Sequence, residues 1–181
     1  MGNLLDYLAW RGDLIFDRAP FSPVDGLILS ALSYIHFDGL IPEQAERSVP
    51  LAQAAKDYLA LSPTLRGRSR CEKDLSLLQT LASSTRFARL ELCARADRFV
   101  PREETQFAAL TVLLGDGSAF LAFRGTDGTL VGWKEDFNLS FMDVVPAQLE
   151  AAEYIRDFAA FFPGLLRLGG HSKGGNLAGA G

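Results

Sequence analysis

The sequence predicts an α/β fold in which a mainly helical lead-in, residues 1–86, precedes a mixed and mostly parallel sheet in residues 87–181. Apolar residues recur at helical spacing through the lead-in, whereas a Gly-Asp-Gly turn joins two apolar runs after it. A third observation is the order of apolar run, amphipathic segment and second apolar run between residues 118 and 168, which is typical of a β-α-β unit. We therefore expect one domain.

Helix-start signals and apolar spacing place four helices in the lead-in. They are predicted from the cap Asn3 through Trp10, from the cap and first-turn proline Ser22-Pro23 to Leu32, from Pro50 to Leu61, and from about Glu72 to Ser83. The segment 62–70 is basic and rich in turn formers. Six arginines and lysines lie from Arg66 to Arg89, but interspersed acids and the lack of an aromatic pattern favour a solvated surface over a binding site for an anionic partner.

Strand signals begin near residue 87. Strands are predicted at Arg89–Ala96, Thr105–Leu114, Ser118–Arg124 and Leu165–Leu168, with a helix at Pro146–Phe162 before the last of them. The Asp116-Gly117 step predicts a hairpin between the second and third strands. A strand, a helical crossover and another strand form a right-handed unit, so Leu165–Leu168 is expected to lie parallel to Ser118–Arg124.

Composition excludes several classes of function. The net charge is −4, so the chain offers no basic surface for nucleic acid, and no apolar segment has the roughly 18 residues that cross a bilayer. The first 18 residues lack a secretory pattern, and a cytoplasmic protein is expected. Cys71 and Cys93 form neither a metal-type pair nor a disulfide framework, so both are interpreted as reduced thiols. No metal or organic cofactor is expected.

The motif that carries chemistry is Gly170-His171-Ser172-Lys173-Gly174, which follows an apolar strand and precedes a small-residue helix. A G-x-S-x-G run at such a junction is typical of a nucleophile elbow, where a sharp turn exposes a reactive serine. An oxyanion hole would then use the backbone N–H of Lys173 and one from the loop after Ser118–Arg124, for which Thr126 is the candidate. The alternative is a tight glycine-rich turn that happens to carry a serine.

Two motifs also carry a family resemblance. The segments A-F-R-G-T-D at 122–127 and G-H-S-K-G-G at 170–175, with Trp133 and Asp136 between them, resemble the lipase class 3 group of α/β-hydrolases. Segments 6–14 and 20–34 resemble a narrower bacterial family of lipase-like proteins, a Mbeg-like domain of unknown function. The resemblance implies the amino-terminal part of an α/β-hydrolase fold, with Ser172 as the nucleophile and Thr126 and Lys173 at the oxyanion positions. It does not imply a substrate, although a small or lipid-like ester fits the group.

The chain departs from the hydrolase pattern after the serine. The triad acid and histidine should follow Ser172, but none of the nine remaining residues is Asp, Glu or His. His171 is interpreted as a packing residue that points away from the serine hydroxyl, and His36 as a loop or surface residue. The 181-residue chain is therefore expected to be inert or nearly so. Three explanations stay open: the front part of a longer hydrolase, a non-catalytic binding protein on a hydrolase scaffold, or half of a split enzyme.

The segment between the two motifs contains further candidates. Asp127 and Asp136 precede the serine and are interpreted as structural acids rather than members of a triad. Trp133, with the apolar residues Phe137, Leu139, Phe141 and Met142 after it, is expected either to form a mobile cover over a pocket or to belong to the core.

Overall fold

The computed structural model describes residues 3–66, 72–103, 105–126, 132–134, 137, 141–142 and 144–180. Its helices are α1 (Leu4–Arg11), α2 (Pro23–Leu32), α3 (Leu51–Ala60), α4 (Glu72–Ser83), α5 (Pro146–Phe161) and α6 (Lys173–Ala178), with a 3-10 turn at Pro101–Glu103. Its strands are β1 (Val49–Pro50), β2 (Glu91–Val100), β3 (Thr105–Leu113), β4 (Ser118–Phe123) and β5 (Leu165–Gly170). The four lead-in helices are confirmed, with small differences at their ends.

The strands form one mixed sheet in the order β1-β2-β3-β4-β5. The prediction of a mostly parallel sheet is wrong, because β1 to β4 pair antiparallel and β4 with β5 is the parallel pair. The reason lies in the connections. Short turns link β2 to β3 and β3 to β4, and a short turn can only reverse the chain, whereas a parallel neighbour needs a long crossover such as α5. The predicted parallel pairing of β4 and β5 is confirmed.

Local signals explain the hairpin and the lead-in helices. Gly115 and Gly117, in the turn between β3 and β4, have φ values of 77° and 80°, which residues with a side chain rarely adopt. Asn3 and Ser22 each form a capping box at the start of α1 and α2. The two-residue strand β1 was not predicted, since so short a segment has no periodicity of its own.

Helices cover both faces of the sheet. Phe120 and Ala122 of β4 face the cluster built around the lead-in helices, while Leu121 and Phe123 face the cluster that contains residues of α5 and α6. Every residue of β4 is buried. This strand is therefore enclosed by apolar layers on both sides, and the loop that follows it is held at a fixed place at the sheet's edge.

The sequence predicts neither a membrane span nor a metal site. In the part of the chain that the structure describes, no helix is long and apolar enough to cross a membrane, and no group of three or more His, Cys, Asp or Glu could hold a metal ion. Cys93 is a free buried cysteine, and its burial raises the pKa of the thiol to about 11. Cys71 lies outside the described residues.

Candidate functional site

Ser172 lies on the sharp turn between β5 and α6. Its backbone has φ 59° and ψ −127°, a conformation that strains any residue with a Cβ atom. Although Ser172 occupies the N-cap position of α6, its side chain makes no capping hydrogen bond, and the residue is exposed. The turn therefore holds an exposed serine in an unfavourable backbone conformation.

Gly170 and Gly174 allow the strand and the helix to approach this closely. A Cβ on Gly170 would lie 2.7 Å from the Cα of Gly174, and a Cβ on Gly174 would lie 2.8 Å from the carbonyl carbon of Phe123. Two backbone hydrogen bonds close the turn: Gly174 N–H donates to His171 O at 3.1 Å, and Gly175 N–H donates to Ser172 O at 2.9 Å. The two motif glycines are thus sterically required here, as the G-x-S-x-G pattern predicts.

The loop after β4 lies against this turn. Because β4 and β5 are parallel and Phe123 pairs with Gly170, their carboxyl ends meet at the same edge of the sheet. A Cβ on Gly125 would lie 3.2 Å from the Cβ of Ser172 and would also meet His171 O. The structure therefore brings the segment Gly125-Thr126 next to Ser172. Thr126 itself is half-buried, and Asp127 lies outside the described residues.

Lys173, the first residue of α6, has a buried side chain. Its Nζ donates a hydrogen bond of 2.9 Å to the backbone oxygen of Gln106 in β3. The sequence predicts a role only for the backbone N–H of Lys173, because no local pattern marks this side-chain contact. A buried ammonium needs acceptors to offset the loss of hydration, so the bond ties the start of α6 to the sheet. This anchor helps to hold the turn that precedes it.

His171 contacts Tyr34, a residue of the lead-in that the sequence reasoning did not single out. The Tyr34 hydroxyl lies 3.0 Å from Nδ1 of His171, and the two rings meet edge-on with centroids 5.7 Å apart. His171 is exposed as a residue, while Tyr34 is 4% exposed. The imidazole therefore packs on one buried tyrosine at the surface rather than inside the core.

The other predicted candidates lie apart from the turn or outside the described residues. His36 lines an open cleft with the side chains of Asp38, Glu43 and Arg95. Asp136 and Leu139 lie outside the described residues. Trp133, Phe137, Phe141 and Met142 are about half to two-thirds exposed, so the expectation that they belong to the core is wrong. A Cβ on Gly132 would lie 2.7 Å from Cγ2 of Thr126, which places the start of this apolar segment beside the site.

Arg124 forms an ion pair next to the loop that follows β4. This residue is buried, and its guanidinium pairs with the carboxylate of Asp97 at 3.2 Å. Asp97 also pairs with Arg95 at 3.2 Å. The pairing fixes the residue that precedes Gly125 and accounts for the arginine of the Arg-Gly-Thr segment in structural terms.

A mixed sheet covered by helices on both faces defines an α/β protein. Within it, a serine lies on a strained turn between a parallel strand and a short helix. A family model described as Mbeg1-like matches residues 81–180, which is more than half of the chain. The chain therefore belongs to the Mbeg1-like family. No curated protein and no solved structure matches it.

Proposed function

We propose that this chain carries the nucleophile half of a serine ester hydrolase and that Ser172 is its nucleophile. The observation that carries the proposal is the turn at Ser172, where a positive φ, an exposed serine and the close approach of Gly125 occur together. Strained residues of this kind persist where the surrounding structure over-determines them, and they cluster at active sites. The likeness of segments 122–127 and 170–175 to lipase class 3 proteins supports the same assignment.

In the proposed reaction the Ser172 oxygen attacks the carbonyl carbon of an ester, and the alcohol leaves to give an acyl-serine. The serine proton passes to a general base and then to the departing alkoxide, and water releases the acid by the reverse sequence. The backbone N–H groups of Thr126 and Lys173 would stabilise the oxyanion. Because the loop that contains Thr126 lies against the turn, both amides belong to segments that border the serine.

The general base is not assigned to either histidine of this chain. The Nδ1 atom of His171 is engaged by Tyr34, and His36 lines a cleft with charged side chains. We propose that an imidazole outside residues 1–181, in a longer form of the protein or in another chain, completes the site. Without it, positioning and oxyanion stabilisation alone can give about 10³-fold to 10⁴-fold acceleration over water.

A lipid-like acyl group is the proposed substrate class. Gly132 lies close to Thr126, and four exposed apolar side chains come after it in the sequence. These side chains would offer an acyl group an apolar surface: Trp133, Phe137, Phe141 and Met142. Their exposure would otherwise be costly, since each leaves a large apolar side chain in water.

The test is labelling of the 181-residue chain with a fluorophosphonate probe, with and without added imidazole, followed by peptide mass spectrometry. We expect a slow adduct on Ser172 that imidazole accelerates, and that disappears in Ser172→Ala. Ser83, an exposed serine at the end of α4, provides the matched control, because Ser83→Ala should label like the wild type.

Labelling of Ser172 no faster than that of Ser83, with and without imidazole, would contradict the hydrolase proposal. The same result would favour the alternative, a non-catalytic protein that uses the hydrolase scaffold for binding.

A further inference from the structure

The hydroxyl of Tyr34 is wedged between the two segments that form the proposed site. It lies 3.0 Å from His171 Nδ1, and the position of a Cβ on Gly125 would be 2.5 Å from it. That same position is 3.2 Å from the Cβ of Ser172. The Tyr34 hydroxyl, which belongs to the lead-in, therefore contacts both His171 and the loop at Gly125.

The geometry points to Tyr34 as a positioning residue for Ser172, an inference that rests on the proposed function. The hydroxyl holds His171 by its ring, and His171 is the residue whose carbonyl accepts the hydrogen bond from Gly174 that closes the turn. Fixing His171 at both its side chain and its carbonyl restrains the rotation that would let Ser172 leave its positive φ. Tyr34 touches no reacting atom in this proposal, and it acts through His171.

Through Tyr34, the lead-in contributes a residue to the proposed site. Tyr34 follows the end of α2, and its N–H donates a 3.2 Å bond to the carbonyl of Ala31. Because α2 packs on β4 and β5, the tyrosine is fixed relative to the two strands that carry Gly125 and Ser172. Loss of its hydroxyl should loosen the serine while the packed ring preserves the fold.

The variants are Tyr34→Phe and, as the matched control, Tyr58→Phe. Tyr58 is also a buried lead-in tyrosine, and its hydroxyl donates a 3.0 Å bond to Arg66 O in the lead-in. Each substitution removes a single hydrogen-bonded oxygen from a buried ring. The two differ in that only the Tyr34 oxygen reaches His171.

The first readout is the imidazole ¹⁵N spectrum, which does not depend on activity. The chain has two histidines, so His36 serves as an internal reference. In Tyr34→Phe we expect the His171 nitrogen signals to shift and those of His36 to stay, whereas Tyr58→Phe should leave both unchanged. Unchanged His171 signals in Tyr34→Phe would overturn the inference.

The second readout is fluorophosphonate labelling of Ser172 with imidazole present. We expect the maximal labelling rate of Tyr34→Phe to fall roughly tenfold to a hundredfold, with the probe concentration at half-maximal rate little changed, because small misplacements of a reacting atom have effects of this size. Partial unfolding would instead lower the fraction of protein that labels. Equal rates for wild type and Tyr34→Phe would contradict the assignment of Tyr34 alone, whereas no labelling of the wild type at Ser172 would contradict the proposed function.

Discussion

Ser172 combines a strained backbone with a side chain that forms no capping hydrogen bond. Its φ of 59° lies where glycine is favoured, and its hydroxyl does not cap the helix that it precedes. Backbone strain of this kind costs about 1–3 kcal/mol per residue. A serine at this position therefore lowers stability, and the proposed role of Ser172 as nucleophile would account for its presence.

Replacing Ser172 with glycine should stabilise the protein. Ser172→Gly removes the strain, while the greater freedom of glycine in the unfolded chain offsets about 0.4–1 kcal/mol of that gain. We expect the free energy of unfolding to exceed that of Ser172→Ala by about 1 kcal/mol, measured by urea denaturation.

The control is Ser76→Gly, since Ser76 is an exposed residue in the interior of α4 with an ordinary helical backbone. Here glycine should destabilise by about 0.5–1 kcal/mol. If glycine lowered stability equally at both positions, Ser172 would not be strained.

At the scale of the element, α6 is held close to the sheet by its small residues. A Cβ on Gly174 would lie 2.8 Å from the carbonyl carbon of Phe123 and 3.1 Å from that of Arg124, both of which are backbone atoms. Backbone atoms of a buried strand cannot move aside as the tip of a flexible side chain can. The close approach of α6 to β4 therefore depends on this one missing methyl group.

Adjacent glycines of α6 should respond to alanine in opposite directions. Gly174→Ala forces α6 away from β4, and we expect it to lower the free energy of unfolding by about 1–3 kcal/mol. Gly175 has nothing closer to its Cβ position than Gly170 O at 3.5 Å, so Gly175→Ala should raise stability by about 0.5–1 kcal/mol through the unfolded state.

Thermal unfolding of the two variants beside the wild type checks this prediction, because both carry the same added methyl group on the same helix. Equal effects would mean that the packing of α6 on β4 does not discriminate between the two positions.

Elements that depend on local signals could be predicted from the sequence, and those that depend on partners could not. The caps Asn3 and Ser22 and the Gly115–Gly117 turn act within a few residues, so they can be identified from the sequence alone. The prediction of a mostly parallel sheet, as expected for an α/β-hydrolase fold, is wrong because the short turns give antiparallel pairs, whereas the long crossover through α5 gives a parallel pair. The contact between Tyr34 and His171 joins residues 137 apart, and no local pattern marks it.

Asp25 connects α1, the start of α2 and the turn between α4 and β2. Its buried carboxylate accepts hydrogen bonds from Tyr7 of α1 at 3.1 Å, from Ser22 N–H at 2.8 Å and from Arg86 Nε at 2.8 Å. Arg86 lies in the turn between α4 and β2, and it also donates to the carbonyls of Leu14 and Ala19. The network thus fastens α1 and α2 to the segment that leads into the sheet.

The balance of forces on Asp25 fixes the sign of its pH dependence. Burial alone would raise the pKa of the carboxyl, but hydrogen bonds from Arg86 and Ser22 outweigh that desolvation, and the net pKa lies below its ordinary value of 3.8. A carboxylate whose pKa is lower in the folded state adds stability above its unfolded pKa. That stability is lost as pH falls through the folded pKa.

Asp25→Asn should therefore cost the most stability at neutral pH. The substitution leaves Arg86 buried without its counter-charge, a loss of about 3–5 kcal/mol for a buried ion pair. We expect the difference in unfolding free energy between wild type and Asp25→Asn to be largest above about pH 5 and to shrink as pH falls below about 4, because protonated aspartic acid and asparagine are both neutral. Urea titrations at several pH values measure it. Asp57→Asn, which removes an α3 acid that contacts Gln53, is the control and should give a small difference. A gap for Asp25→Asn that stayed constant or widened at low pH would mean that the carboxylate does not hold the lead-in through its charge.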